Sequence, residues 1–146
     1  MHDEWNPWRD SLAATLAELR DGEFVNTWGP VEARERGRGL LGRARRPEVV
    51  SAPVVRFLAT EGHLLCESVP AFPTAAGPEL SDGQRSELRS AGWLLPGDPG
   101  YDPVGGDDLR VFVPQSEAVR AADLAVATYV VLGVAAPSAV EQERGA

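Results

Sequence analysis

The chain of 146 residues contains no lysine, and all fourteen of its basic residues are arginines. Twenty-two acidic residues outnumber these arginines, so the formal net charge is −8. Proteins bind nucleic acids by neutralising phosphates with basic side chains, and this charge balance therefore argues against a nucleic acid partner. The length suits one domain with a sizeable core.

Cysteines and long apolar runs are also scarce. The single cysteine, Cys66, excludes an internal disulfide and any metal site with several cysteine ligands. The longest apolar run, from Leu124 to Ala136, is shorter than the ~20 residues that a membrane-spanning helix needs. The first residues lack the pattern of a secretory signal. We therefore expect a cytoplasmic protein that does not contact membranes.

Motifs of common active sites are missing. The chain has neither a phosphate-binding loop that ends in Gly-Lys-Ser/Thr nor a GxSxG elbow. Gly37, Gly39 and Gly42 spell GxGxxG, but arginines and prolines surround them in place of the strand and helix that a dinucleotide site requires. This motif is therefore very weak evidence for a nucleotide site.

Residues that bind metal ions are few and scattered. His2 and His63 share no helix face with another ligand. The aspartates between residues 98 and 108 do not follow the order of a calcium-binding loop. We expect no metal ion and no cofactor. No acid–base pair can be named, so we also expect no enzyme activity.

The clearest structural signal is the stretch from Val54 to Val69. Its two apolar runs flank Glu61-Gly62, which is the pattern of a tight β-hairpin. With this turn, Arg56 faces Glu67 and Leu58 faces Leu65 across the two strands. Alternation predicts a core face and a mixed outer face. The core face contains Val55, Phe57, Ala59, Leu64, Cys66 and Ser68. The mixed face contains Val54, Arg56, Leu58, Thr60, His63, Leu65, Glu67 and Val69.

The hairpin also excludes one catalytic pair. His63 and Cys66 are three residues apart on a strand, so their side chains point to opposite faces. We expect Cys66 to be a small core residue and His63 to be solvated.

Three helices are predicted. Asn6-Pro7 is typical of a helix start, and an apolar stripe follows it until Asp21-Gly22. Ser81 and Gln84 form the sequence pattern of a capping box, and Gly92 marks the end of that second helix. The stripe of the first helix contains Trp8, Leu12, Leu16 and Leu19. Short strands are expected at Glu23–Trp28 and Leu109–Val113.

The third helix is expected from about Glu117 to Val134. Beyond Asp123 it carries no charge on any face, so it is either buried on both sides or in contact with a second copy of the chain. Its predicted inner stripe contains Val119, Ala122, Val126, Tyr129, Val130 and Gly133. The residues after Pro137 are expected to form a flexible tail.

Residues 29–53 interrupt this pattern. Six of the fourteen arginines lie between Arg34 and Arg46, among several glycines. This region is either a solvated loop insertion or a basic loop that binds an anion or an acidic peptide. We therefore expect a single α+β domain over residues 1–136, with residues 29–53 as an insertion and residues 137–146 as the tail.

Several short motifs resemble the TY-Chap group of actinobacterial proteins, which are similar to type III secretion chaperones and YbjN-like proteins. The resemblance covers Val54 to Pro96. The motifs are Arg56-Phe57, Glu67-Ser68-Val69, Leu80-Ser81 with Gln84, Leu88, Ala91-Gly92-Trp93 and Pro96. The resemblance implies an α+β fold with helices packed on an antiparallel sheet, often as a dimer. It also implies non-enzymatic binding of a peptide or an unfolded protein segment.

Our main hypothesis is a homodimeric, chaperone-like module that binds its client through Arg56, Leu58, Leu65 and Glu67. Arg56 and Glu67 would either pair with each other or orient polar groups of the ligand. A second hypothesis is a dedicated partner of one basic, secreted or toxin-like protein. A third is a small enzyme or ligand-binding protein that uses Arg34–Arg46 as an anion clamp.

Overall fold

The computed structural model describes residues 3–30, 33–34, 48–49, 53–69, 80–101 and 109–146. The helices are α1 (Trp5–Glu18), α2 (Asp82–Ala91) and α3 (Ala118–Val131). The strands are β1 (Phe24–Trp28), β2 (Ala33–Arg34), β3 (Glu48–Val49), β4 (Val54–Thr60), β5 (His63–Val69), β6 (Leu109–Pro114) and β7 (Glu141–Gly145). Short 3₁₀ turns lie at Gln115–Glu117 and Pro137–Ala139.

Five of these strands form one antiparallel sheet in the order β6-β5-β4-β1-β7. β2 and β3 pair separately over two residues each. We name the face of the large sheet that packs against the helices the inner face, and the opposite one the outer face. The inner face contributes these buried residues: Val25, Thr27, Val55, Phe57, Ala59, Leu64, Cys66, Ser68, Leu109 and Val113. The predicted α+β fold is confirmed.

The β4–β5 hairpin has the predicted register. Arg56 pairs with Glu67 and Leu58 with Leu65. Glu61 and Gly62 form the turn with φ of 50° and 79°, the positive values that a tight two-residue turn requires. All six residues of the predicted core face are buried, which follows from the alternation of side chains along the strands.

Helix α2 also matches its sequence signals. The Ser81 hydroxyl accepts a hydrogen bond from the backbone N–H of Gln84, and the Gln84 side chain accepts one from the backbone N–H of Ser81. Gly92 ends the helix with a φ of 118°. Trp93 then packs into the core, where its indole N–H lies 2.9 Å from the Thr128 hydroxyl. This contact fixes α2 beside α3.

Helix α1 starts earlier than predicted. It begins at Trp5, so Asn6 is not its N-cap and Pro7 is its third residue. A proline is tolerated there because the first N–H groups of a helix have no partner inside the helix. Trp5 is buried and stacks on Tyr129 of α3, with ring centroids 6.1 Å apart, whereas Trp8 is only half-buried.

The predicted inner stripe of α3 is wrong in part: Val126 and Val130 are half-buried and pack against the core, but Val119 and Gly133 are exposed. Val119 is 52% exposed, and of the six predicted residues only Ala122 and Tyr129 are buried. The buried residues of α3 are Ala118, Ala121, Ala122, Leu124, Ala125, Thr128 and Tyr129. Small residues face inwards because α3 packs closely against α1, α2 and the sheet. The sequence could not predict this orientation, because a helix that is apolar on most faces has no polar side that marks the surface exposed to solvent.

The structure also corrects the expectation of a flexible tail after Pro137, because Glu141–Gly145 forms strand β7 and pairs with β1. Trp28 donates its indole N–H to Glu141, and Asn26 donates its side-chain amide to Glu143. Without β7, the backbone groups along one side of β1 would have no partner in the sheet. The segment contains no apolar residue that hydrophobic alternation could have detected.

A buried hydroxyl pair joins the sheet to α3. The Thr27 hydroxyl donates to the Val55 carbonyl oxygen at 2.9 Å and lies 2.5 Å from the Tyr129 hydroxyl. A hydroxyl has one proton, so Tyr129 is the donor in this second contact. Both residues are fully buried, and each hydroxyl therefore depends on the other or on Val55 for a partner.

We expect Thr27→Val to lower the free energy of unfolding by about 1–3 kcal/mol, because the buried Tyr129 hydroxyl then loses Thr27 as a hydrogen-bond partner and the Val55 carbonyl oxygen loses the Thr27 hydroxyl. Tyr129→Phe should lower it less, by about 0.5–1.5 kcal/mol, since Thr27 keeps its bond to Val55. Urea unfolding of both single variants and the double variant measures the coupling. Strictly additive losses would contradict a direct interaction.

The buried thiol of Cys66 should make stability depend on alkaline pH. Burial raises the pKa of this thiol from 9.0 to about 12. As the pH rises above about 9, the unfolded chain loses this proton before the folded protein does, so the free energy of unfolding falls. Below that pH the thiol is protonated in both states and contributes no pH dependence.

Urea unfolding at about pH 8 and about pH 10 tests this expectation, with Cys66→Ala as the control. The wild-type protein should lose more stability between the two pH values than the variant does. A native thiol that reacts with a thiol reagent at the rate of the unfolded chain would show that Cys66 is not buried.

Candidate functional site

The outer face of the sheet is the candidate functional site. The helices pack against the inner face, and the outer face carries two of the three large exposed apolar side chains among the described residues. These are Leu58, 36% exposed, and Phe112, 50% exposed. Antiparallel sheets commonly leave one face to solvent, but that face is then usually polar. Exposed apolar residues on it therefore need an explanation.

Strand register places four apolar residues side by side across the outer face. Phe112 pairs with Leu65, Leu65 with Leu58, and Leu58 with Phe24. We name these four residues the apolar row. Adjacent strands lie about 4.8 Å apart, so the row extends about 15 Å across β6, β5, β4 and β1.

The apolar row continues onto β7 without a side chain. Gly145 pairs with Phe24, and a Cβ atom at residue 145 would lie 2.5 Å from Cζ of Phe24. The Phe24 ring therefore covers the position that a side chain of residue 145 would occupy. Glycine at this position lets the ring lie over β7.

A polar row runs parallel to the apolar row on the outer face. On each strand, its residue lies two positions away from the residue of the apolar row. It consists of Arg110, Glu67, Arg56, Asn26 and Glu143, in that order across the sheet. Arg110 forms an ion pair with Glu67 at 2.8 Å. The outer face thus combines an apolar row with a neighbouring row of charged and amide groups.

The structure decides between the two predicted roles of Arg56 and Glu67 only as far as their pairing with each other is concerned. Arg56 and Arg110 both face Glu67 in the register, but the ion pair of Glu67 is with Arg110. The side chains of Arg110 and Glu67 are only 14% and 20% exposed, and charges attract more strongly where less water surrounds them. Arg56 is exposed, and none of the ion pairs among the described side chains involves it.

The four predicted binding residues lie together on this face. Leu58 and Leu65 are neighbours in the apolar row, and Arg56 and Glu67 are neighbours in the polar row. Sequence reasoning missed Phe24 and Phe112. The position of Phe112 beside Leu65 depends on the β5–β6 register, and that of Phe24 beside Leu58 depends on the β1–β4 register.

The other predicted chemistry gives no competing site. His63 is exposed, with Nδ1 3.2 Å from the Glu61 carbonyl oxygen, while Cys66 is buried on the inner face. Within the described ranges, no cluster of three or more His, Cys, Asp or Glu residues is arranged to hold a metal ion. Of the Arg34–Arg46 stretch, only Arg34 lies among the described residues, so the anion clamp remains a prediction.

The helical side of the molecule carries a groove between α1 and the start of α3. Its volume is about 680 Å³, and exposed Val119 is one of its lining residues. The groove is lined by Asp10, Ala13, Ala14, Ala17, Gln115, Ser116, Glu117, Ala118 and Val119. Val119 is its one large apolar lining residue, whereas the apolar row contains four.

None of the described helices is long and apolar enough to cross a membrane. A family model described as T3SS (YopN, CesT) and YbjN peptide-binding chaperone 3 matches residues 1–145. Searches of the curated proteins and of the solved structures found no match. The match includes the hairpin, α2 and strand β7, and thus extends beyond the motifs that carried the resemblance. The chain therefore belongs to the TY-Chap3 family of T3SS and YbjN peptide-binding chaperones.

Proposed function

We propose that this protein is a non-enzymatic, chaperone-like module that holds an extended segment of a client protein on the outer face of its sheet. The observation that carries this proposal is the apolar row, because it contains two of the three large exposed apolar side chains among the described residues. Family membership supports a peptide or protein as the ligand.

The apolar row suits clients of varied sequence. Covering apolar surface contributes about 25 cal/mol per Å² and does not depend on direction, so different apolar side chains can occupy the same position. Leu58 and Phe112 expose the most surface and therefore gain the most when a client covers them.

The polar row supplies orientation. Arg56 is exposed beside Leu58, where its guanidinium can donate to a backbone carbonyl or a carboxylate of the client. Glu67 is already held by Arg110, so of the predicted polar pair Arg56 is the residue that acts on the ligand.

A homodimer in the cytoplasm remains part of the proposal. Val119 on the helical side is the exposed apolar residue through which we expect a second copy to make contact. This contact leaves the outer face open, because α3 packs against the inner face.

A dedicated client and a general one lead to different outcomes in a pulldown with the tagged protein. One stoichiometric partner supports a dedicated chaperone, and many substoichiometric proteins support a general one. Recovery of no protein would contradict client binding.

We expect Leu58→Asp and Phe112→Asp each to weaken peptide binding about tenfold or more, because a client would have to cover a carboxylate that prefers water. The probe is a fluorescein-labelled peptide, Gly-Ser-Leu-Val-Phe-Gly-Ser-Gln-Gln-Gly, and fluorescence anisotropy measures its dissociation constant. Circular dichroism should show an unchanged fold, since both side chains are already exposed.

Val119→Asp is the matched control, because it places the same charge on the helical side, at an apolar residue that is about as exposed as Phe112. It should leave peptide binding unchanged, while its mass in solution reports on the dimer. If Val119→Asp weakened binding as much as Leu58→Asp, the site would not be the outer face.

A further inference from the structure

The outer face has an excess of negative charge at its β7 edge. Several carboxylates elsewhere in the described residues form ion pairs with arginine, among them Glu23 with Arg144 and Asp98 with Arg89. Glu141 and Glu143 are different: each accepts a hydrogen bond from a neutral donor, and none of the ion pairs among the described side chains involves them. Neither carboxylate is therefore paired with an arginine of the described residues.

These two carboxylates are held in place. Trp28 donates its indole N–H to Glu141 Oε2 at 2.8 Å, and Asn26 donates its side-chain N–H to Glu143 Oε1 at 3.1 Å. Each bond engages one carboxylate oxygen and leaves the other available. A side chain that is already ordered loses less conformational entropy when a ligand binds to it.

Aromatic rings lie beside both carboxylates. Trp28 pairs with Glu141 in the β1–β7 register, and Asn26 pairs with Glu143. Phe24 is the next residue after Asn26 on the outer face of β1, so its ring lies near Glu143. Lysine and arginine bury their apolar stems against such rings while their charged ends reach a polar group. The ring faces also attract cations. An aromatic surface next to an unneutralised carboxylate is therefore a binding position for a basic side chain.

We propose that the client segment carries lysine or arginine residues beside its apolar residues, and that these basic side chains bind Glu141 and Glu143. This inference rests on the proposed function, because it names the client chemistry of the same outer face. The cation Arg56 lies on β4, so the basic side chains are directed to the β7 edge and away from the centre of the sheet.

The sheet geometry sets the spacing within the client. Glu143 lies two strands and two residues away from Leu58, a distance of about 12 Å, and Glu141 lies two strands and four residues away, a distance of about 17 Å. An extended peptide covers these distances in about four to five residues. The client therefore carries its basic residue about four or five positions from the apolar residue that contacts Leu58.

The experiment compares three peptides that differ only in charge. The neutral peptide is Gly-Ser-Leu-Val-Phe-Gly-Ser-Gln-Gln-Gly, and the basic and acidic peptides replace its two glutamines with lysines or glutamates. The test variant is Glu141→Gln with Glu143→Gln, which keeps both hydrogen-bond acceptors. The control is Glu4→Gln with Glu87→Gln, which makes the same change in net charge at exposed residues of the helical side.

We expect the wild-type protein to bind the basic peptide about three- to tenfold more tightly than the neutral one, and the acidic peptide most weakly. The Glu141→Gln/Glu143→Gln variant should lose this preference, and the Glu4→Gln/Glu87→Gln control should keep it. Raising the salt concentration from about 50 mM to about 500 mM should reduce the preference in the wild-type protein.

Failure of this inference differs from failure of the proposed function. Equal binding of the basic and neutral peptides, with loss of both in Leu58→Asp, overturns the basic client alone. A preference that persists in the Glu141→Gln/Glu143→Gln variant overturns the assignment of its position. If none of the three peptides binds at about 1 mM protein, both proposals are overturned.

Discussion

The register of the β4–β5 hairpin is the constraint on which the rest of the structure depends. A slip of one residue would move Phe57, Leu64 and Cys66 out of the core and bring Arg56 and Glu67 into it. The turn at Glu61-Gly62 prevents this, because both residues adopt the left-handed backbone that joins two strands in this register. Through the neighbouring strands, the same register determines which residues meet on the outer face.

The two faces of the sheet have different roles. Helices α1, α2 and α3 bury the inner face, and the hydroxyl pair of Thr27 and Tyr129 joins the two layers. The outer face is therefore not needed for burying the core. Its apolar residues are available for a ligand, and the charged groups beside them keep the exposed surface from being uniformly apolar. In the proposed function, this separation would let the outer face bind varied segments while the fold stays the same.

The parts that the sequence predicted well are those determined by local chemistry. The hairpin follows from its turn and alternation, and α2 follows from the side chains of Ser81 and Gln84 and from Gly92. The orientation of α3 did not follow, because a helix that is apolar on most faces can rotate without exposing a charge to the core. Its tertiary contacts determine the orientation, among them those with Thr27 and Trp93.

The candidate site was predictable only in part, for a related reason. Leu58 and Leu65 face each other within one hairpin, so local alternation predicted their pairing. Phe24 and Phe112 reach the same row through strands that are distant in the chain. Pairing between distant strands leaves little trace in local sequence patterns. Strand β7 was missed because its residues from Glu141 to Arg144 are all polar, so that no alternation of apolar and polar residues marks it as a strand.

The polar composition of β7 has a consequence for local stability. Its side chains from Glu141 to Arg144 are all exposed, so backbone hydrogen bonds and surface contacts hold the strand to β1 with little apolar burial. Segments of this kind open at a lower free energy than the core, and their amide protons exchange with solvent sooner. The acidic edge of the outer face can thus detach while the hairpin and the three helices stay folded. In the proposed binding mode, a client that contacts both Glu141 or Glu143 and the neighbouring strands would slow that exchange, because it would hold β7 against β1.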